Sequence, residues 1–309
     1  MRESDTLTLP DKRILAYAIY GSPVPHTSVF YFHSHPSSRK EGKIWHTAAA
    51  RLGVRLVVPD RPGIGNSTFQ PNRTLLDWPK DVLALADHLK IQTFYVIGFG
   101  GGGPYTLACV KGVMKERLAG AAVVSGFYST SLGTAGVPTD TRLMLWISSW
   151  APGVAGALTD MSWGRLARDS DSNVFEAALL KDIEDWPEID KRAIKSDKNR
   201  EGFVEGRRES FAQGGKGVGW EAKLQGSAWD FELHDLKIGN KGVPLTIWHG
   251  LEDTNCPATL TLKAKEMMPA AEIRMRDGEG HLSFALRNQE EILKELIGYS
   301  EIGDLQVGI

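Results

Sequence analysis

The stretch FYVIGFGGGGPY, residues 94–105, runs from apolar and aromatic residues into four consecutive glycines and then into a helix-compatible segment. Glycine adopts turn conformations that other residues avoid, so Gly100 to Gly103 allow a sharp reversal of the chain. The pattern therefore predicts a buried strand, a tight turn and a helix. Alone, a glycine-rich turn of this kind is weak evidence for any function.

A dinucleotide-binding loop is one interpretation of this turn. That loop follows the first strand of its domain, and an acidic residue stands about twenty residues further on. Here the turn follows several predicted strands, and residues 119–125 contain no acid. The dinucleotide interpretation therefore fits poorly.

The rest of the chain alternates short apolar runs with helix-like stretches. This alternation is typical of an α/β fold with a mostly parallel, twisted sheet and helices on both faces. An opening hairpin, Thr6–Leu9 with Ile14–Tyr20, would add antiparallel edge strands. Buried parallel strands are predicted at Ser28–His33, Val54–Pro59, Thr93–Ile97, Ala121–Ser125, Leu245–His249 and Glu272–Met275, and helices at Trp78–Leu89 and Tyr105–Val113.

The alternation stops between residues 128 and 242, where the pattern is helical. We predict that this segment is a helical cap inserted into a core formed by residues 1–127 and 243–309. Its six tryptophans are expected to form mainly the core of the cap. They are Trp146, Trp150, Trp163, Trp186, Trp220 and Trp229.

Four further motifs follow predicted strands in a fixed order. FHSHP (residues 32–36) and DRPGIGNS (60–67) precede the glycine turn, while HGLED (249–253) and GEGH (278–281) come late in the chain. Together with residues 94–105 they resemble the lid-bearing α/β hydrolases, in the branch of esterases, epoxide hydrolases and haloperoxidases. That resemblance implies the α/β-hydrolase fold with its chain order of nucleophile, acid and base.

The resemblance also implies a role for each matching residue. Gly98 and Gly102 flank the nucleophile position, which holds Gly100 where the family has serine. His281 would be the base and Asp253 the acid that orients it. The backbone amides of His35 and Gly101 would form the oxyanion hole, and Phe99 and Ser34 would contact the substrate.

A glycine at position 100 removes the group that would form an acyl-enzyme. A His and Asp pair beside an oxyanion hole still suits proton transfer next to a carbonyl, so we expect a noncovalent lyase, cyclase or isomerase acting on a hydrophobic carbonyl compound, for example in specialised metabolism. One alternative is an ester, lactone or epoxide hydrolase, which either uses water activated by His281 or has been inactivated by the change of its nucleophilic serine to Gly100. Another is a non-catalytic protein that binds a small ligand.

Charge, hydropathy and cysteine spacing limit the partners, cofactors and cellular location that we expect. The formal net charge is −2 and no basic stripe is present, so nucleic acid is not an expected partner. No continuous apolar stretch predicts a signal peptide or membrane span, so we expect a cytoplasmic protein without a membrane partner. Cys109 and Cys256 have neither disulfide nor zinc spacing, and no metal or cofactor is expected. The expected partner is a hydrophobic small-molecule substrate, and the oligomeric state is left open.

Overall fold

A computed structural model describes residues 1–195 and 197–298, which contain one eight-stranded sheet. The strand order is β1-β2-β4-β3-β5-β6-β7-β8. β2 pairs antiparallel with both β1 and β4, and the remaining pairs are parallel. The strands are β1 (Arg2–Thr8), β2 (Ile14–Gly21), β3 (Thr27–Phe32), β4 (Val54–Pro59), β5 (Phe94–Phe99), β6 (Leu118–Val124), β7 (Leu245–Gly250) and β8 (Glu272–Arg276).

The α-helices fall into three groups along the chain. Those before the insertion are α1 (His46–Arg51), α2 (Trp78–His88) and α3 (Gly103–Gly112). Those between β6 and β7 are α4 (Thr139–Trp150), α5 (Pro152–Thr159), α6 (Arg165–Ala167), α7 (Ser172–Asp182), α8 (Glu188–Lys195), α9 (Asp197–Ser210) and α10 (Lys216–Gly226). Those that follow are α11 (Ala258–Met267), α12 (His281–Arg287) and α13 (Gln289–Ile297).

Helices cover both faces of the sheet, as the sequence predicted. Buried residues of α2, α3 and α11, such as Leu85, Leu107 and Leu260, pack on one face. Residues of α1 and α13, such as Ala49 and Leu293, pack on the other. This double covering explains why the central strands are apolar along their whole length. The α/β-hydrolase fold is confirmed, with residues 299–309 of the predicted core lying outside the described residues.

The register of the sheet determines where its loops meet. β3 and β5 are parallel neighbours, with Phe32 opposite Gly98. Their following loops, one carrying His35 and the other Gly100, therefore leave the sheet side by side. The loops after β7 and β8 emerge at the same edge, because parallel strands all end on one side. The strand order thus gathers four separate motifs at one edge.

One prediction about a buried element was wrong. β8 is an edge strand, and its residues are half-buried or exposed because only β7 pairs with it. Of the six tryptophans between β6 and β7, Trp163, Trp186 and Trp229 pack against the core, whereas Trp146 and Trp150 are 64% and 80% exposed. The chain division at residues 128 and 242 stays a prediction. Within the ranges that the structure describes, no helix has both the length and the apolar character needed to cross a membrane.

Candidate active site

The glycine-rich segment forms a sharp connection between a strand and a helix. β5 ends at Phe99, one 3₁₀ turn covers Gly100–Gly102, and α3 begins at Gly103. Gly100 has φ +52°, a left-handed conformation that strains residues with a Cβ. A Cβ on Gly98 would lie 2.3 Å from the carbonyl oxygen of Gly102, so that position is closed to larger residues. The turn therefore presents position 100 at the edge of the sheet.

The imidazole of His281 faces the space above Gly100. A Cβ built on Gly100 would lie 3.2 Å from His281 Nε2 and 3.6 Å from the Cβ of Ser34. Among the described residues, Nε2 has no hydrogen-bond partner, whereas Nδ1 lies 2.8 Å from Asp253 Oδ2. The ring of Phe99 packs on the imidazole with its centroid 5.0 Å away. A group placed above Gly100 would thus meet a free ring nitrogen of a fixed histidine.

Asp253 and His281 form a buried charged pair. Burial favours the neutral form of each, but their attraction outweighs it: the charge of His281 holds the pKa of Asp253 well below its usual range. Likewise, the carboxylate raises the pKa of His281 well above its ordinary value. The backbone amides of Asn255 and Cys256 donate to Asp253 Oδ1 at 2.9 and 2.7 Å. These bonds stabilise the ionised carboxylate and aim its other oxygen at the imidazole.

A second histidine, His249 at the end of β7, also supports the carboxylate. Its Nε2 lies 2.7 Å from the carbonyl oxygen of Cys256 and 3.2 Å from Asp253 Oδ2. The hydroxyl of Thr261 lies 2.8 Å from its Nδ1 and can donate to it, which leaves the proton on Nε2. From the sequence, a histidine at the end of a buried strand indicates only a structural role. In the structure, His249 contacts Asp253 and helps to position its carboxylate.

Asp190 in α8 holds the helix that begins with His281. Its carboxylate accepts hydrogen bonds from the backbone amides of His281, Leu282 and Ser283 at 3.1, 3.0 and 2.7 Å. These are the unpaired amides of a helix start, and the preceding residue, Gly280, has no side chain to accept them. Asp190, which is distant in sequence, therefore caps the start of α12 in place of a neighbouring side chain.

We expect Asp190→Ala to lower the free energy of unfolding by about 2 kcal/mol, because three buried amides lose their acceptor. Asp190→Asn is the matched variant, since its remaining oxygen can still accept from two of them. Urea unfolding of the three proteins measures the difference. Equal stability of the parent and the alanine variant would contradict the capping role.

The loop after β3 is fixed by two buried charges. The amide of Ser34 donates to Glu41 at 2.8 Å, and the hydroxyl of Ser34 also donates to that carboxylate. Arg61 donates to the carbonyl oxygens of His33 and Ser34 at 2.6 and 2.9 Å. In the described chain the amide of His35 has no acceptor. The loop thus leaves the amide proposed for the oxyanion hole free, while the predicted substrate contact Ser34 points its hydroxyl at Glu41.

Glu221 of α10 joins the helical insertion to this loop. It binds Arg61 at 2.6 Å and also pairs with Arg73, and it accepts a hydrogen bond from Tyr105 at 2.6 Å. Burial would raise the pKa of Glu221, but the two guanidinium groups hold it below its usual range. Sequence inspection missed Glu221, because a lone Glu in a helical stretch carries no motif.

The structure brings Gly100, Gly101, His35, Asp253 and His281 together at one sheet edge. Burial raises the pKa of both cysteines, Cys109 and Cys256, which keeps them as thiols. Among the described residues, no group of three or more His, Cys, Asp or Glu could hold a metal ion.

Comparison with known sequences finds a matching family model and a related hydrolase. A family model described as the alpha/beta hydrolase family matches residues 29–295. A hydrolase of Bacillus subtilis (strain 168), the uncharacterized hydrolase YcgS, is 28% identical over 117 residues, which are 38% of this chain and 39% of that protein. The matched segment thus spans about two fifths of that relative.

Solved structures agree over almost the whole length. A thermophilic esterase from Thermogutta terrifontis is 16% identical with a TM-score of 0.61, and the alignment covers 96% of both chains. A putative aryl esterase from Burkholderia cenocepacia is 17% identical with a TM-score of 0.62, over 96% of this chain and 99% of that one. A structure from work on epoxide hydrolases of hot-environment metagenomes is 16% identical with a TM-score of 0.63, over 97% and 100%. At these identities the likeness shows a shared fold.

Proposed function

Because the chain belongs to the alpha/beta hydrolase family, we propose that it is a hydrolase of a hydrophobic ester or lactone in which water, activated by His281, is the nucleophile. Gly100 stands where the serine of the family would stand. The observation that carries the proposal is the free Nε2 of His281, 3.2 Å from the place a Cβ would take on Gly100. We place the attacking water where a side chain at position 100 would lie, in contact with that nitrogen.

The reaction then needs no covalent intermediate. His281 Nε2 takes a proton from the water as its oxygen attacks the carbonyl carbon, and Asp253 stabilises the resulting imidazolium. The amides of His35 and Gly101 hold the oxyanion that forms. When the intermediate collapses, the leaving alkoxide takes the proton from His281, and the acid product leaves.

A noncovalent lyase, cyclase or isomerase is the second candidate. It is favoured by the same unpartnered Nε2, because a base without a protein nucleophile to activate can accept a proton from the carbon next to a carbonyl. The amides of His35 and Gly101 would then hold an enolate. This chemistry uses the same residues as the hydrolysis. The difference is that His281 takes its proton from a carbon of the substrate and not from water.

The test is turnover of aryl esters, lactones, epoxides and β-keto acids in ¹⁸O-labelled water. We expect the parent protein to hydrolyse an ester or lactone with one ¹⁸O in the acid product, and His281→Ala to lose this activity. His234→Ala, which changes an exposed histidine, is the matched control. His281-dependent turnover without ¹⁸O in the product would favour the second candidate. No turnover by the parent protein on any substrate would contradict both and favour a ligand-binding protein.

The pH dependence of turnover follows from the charged pair. Neutral His281 is the active form, and Asp253 raises its pKa, so we expect kcat/KM to rise about tenfold per pH unit below that raised pKa and then level off. Asp253→Asn removes the negative charge, which lowers the pKa of His281 and moves the rising limb to lower pH. The plateau should fall by about 10⁴ because the imidazole loses its orienting partner. A limb that stays in place would show that another group titrates.

A further inference from the structure

The inner face of α10 carries two buried polar residues one helical turn apart. Glu221 binds Arg61 and Arg73, and Gln225, four residues further along the helix, is only 7% exposed. Residues four apart lie on the same face of a helix. The ion pairs of Glu221 therefore fix the turn from which Gln225 projects.

The amide nitrogen of Gln225 lies against the loops that carry Gly101 and His35. A Cβ built on Gly101 would lie 2.6 Å from Gln225 Nε2, 2.6 Å from His35 Cβ and 3.2 Å from His35 N. Gln225 is thus adjacent to both residues whose backbone amides we assign to the oxyanion hole. This crowding also explains why position 101 has no side chain.

Gln225 Nε2 is buried and has no hydrogen-bond partner among the described residues. Buried side-chain amides nearly always find a partner, so a buried donor that stays unpaired beside Gly101 indicates a place where a ligand's acceptor binds. The Nδ1 atom of His35 is also buried without a partner. Burial lowers the pKa of this histidine to about 4. Gln225 Nε2 and the Cβ of His35 both lie beside Gly101.

We propose that the side-chain amide of Gln225 donates a third hydrogen bond to the substrate oxygen that the amides of His35 and Gly101 hold. The inference rests on the proposed function, because it assumes that this place receives a carbonyl oxygen. In this proposal, α10 of the helical insertion contributes a donor to the oxyanion hole. The ligand class is a compound whose oxygen becomes negatively charged, as in a tetrahedral intermediate or an enolate.

Binding of 4-nitrophenolate tests the donor without any reaction, with 4-nitroanisole as the probe of similar shape that lacks the charged oxygen. We expect the parent protein to prefer the phenolate, and Gln225→Leu to weaken phenolate binding by about 10- to 100-fold while leaving anisole binding unchanged. Gln225→Glu should weaken it further through charge repulsion. Gln213→Leu is the matched control, because that amide already has acceptors at Gly65 and Ser67.

The outcomes separate this inference from the proposed function. Equal phenolate binding by the parent and Gln225→Leu proteins, or no preference of the parent for phenolate, would overturn the role of Gln225 even if His281-dependent turnover is observed. Gln225-dependent phenolate binding without any turnover would support the donor and contradict the proposed reaction. Thermal unfolding of each variant shows that the fold is retained. Where turnover exists, Gln225→Leu should lower kcat by a similar factor with little change in KM.

Discussion

Gly100→Ser is expected to raise the hydrolysis of p-nitrophenyl esters by at least about 10²-fold and to introduce a burst of nitrophenol equal to the enzyme concentration. The new hydroxyl would lie beside His281 Nε2, since the Cβ alone comes within 3.2 Å of that nitrogen. The residues proposed as proton acceptor, orienting carboxylate and amide donors already lie around position 100. Stopped-flow absorbance measures both the burst and the steady state.

Two variants make this result specific. Gly100→Ser combined with His281→Ala should show no burst, because the hydroxyl then has no base. Gly298→Ser places a serine at another left-handed glycine, with φ +65°, outside the site and should leave hydrolysis unchanged. Serine at position 100 should also lower stability by about 1–2 kcal/mol through its strained backbone. A variant that folds and binds substrate without a burst would contradict the assignment of position 100.

Glu221→Leu is expected to lower the free energy of unfolding by about 3–5 kcal/mol. Glu221 and Arg61 are completely buried, and Arg73 nearly so, which means that both guanidinium groups would lose their carboxylate partner away from water. Arg61 also holds the carbonyl oxygens of His33 and Ser34, so the loop after β3 should loosen. Urea unfolding measures the stability, and 4-nitrophenolate binding reports on the loop.

The matched control is Asp87→Asn, which removes an ion pair with Arg117 at the surface. The carboxylate of Asp87 is 67% exposed, so its loss should change stability by less than about 1 kcal/mol. Glu221→Gln keeps a hydrogen-bond acceptor and removes the charge, and we expect an intermediate effect. Equal effects of Glu221→Leu and Asp87→Asn would contradict a structural role for the buried network.

The part of the site that local motifs encode could be predicted from the sequence. A strand, a glycine turn and a helix at residues 94–105 indicated Gly100 as a candidate, and short motifs after two later strands indicated Asp253 and His281. Chain order was sufficient here because parallel strands bring their carboxyl ends to one edge. The geometry now gives Gly100 its left-handed φ and places His281 directly above it.

The supporting residues could not be predicted, since each acts across a long distance in sequence. Asp190 lies 91 residues from the amide of His281, and Glu221 lies 160 residues from Arg61. Asp190 lies in a segment rich in charged residues, yet it is fully buried. Gln225 carries no motif, and its proposed role rests on its position beside Gly101 and on its unpaired Nε2.

These long-range pairs limit how the insertion could be exchanged during evolution. A foreign segment in place of residues 128–242 would leave α12 without the carboxylate of Asp190 and leave Arg61 and Arg73 without that of Glu221. The resulting protein would then contain unpaired backbone amides at the start of α12 and two buried arginines without a carboxylate partner. Recombination between relatives would have to transfer matching residues on both sides of the boundary. Replacement of the insertion as a unit is therefore expected to destabilise the recipient protein unless the matching residues are transferred with it.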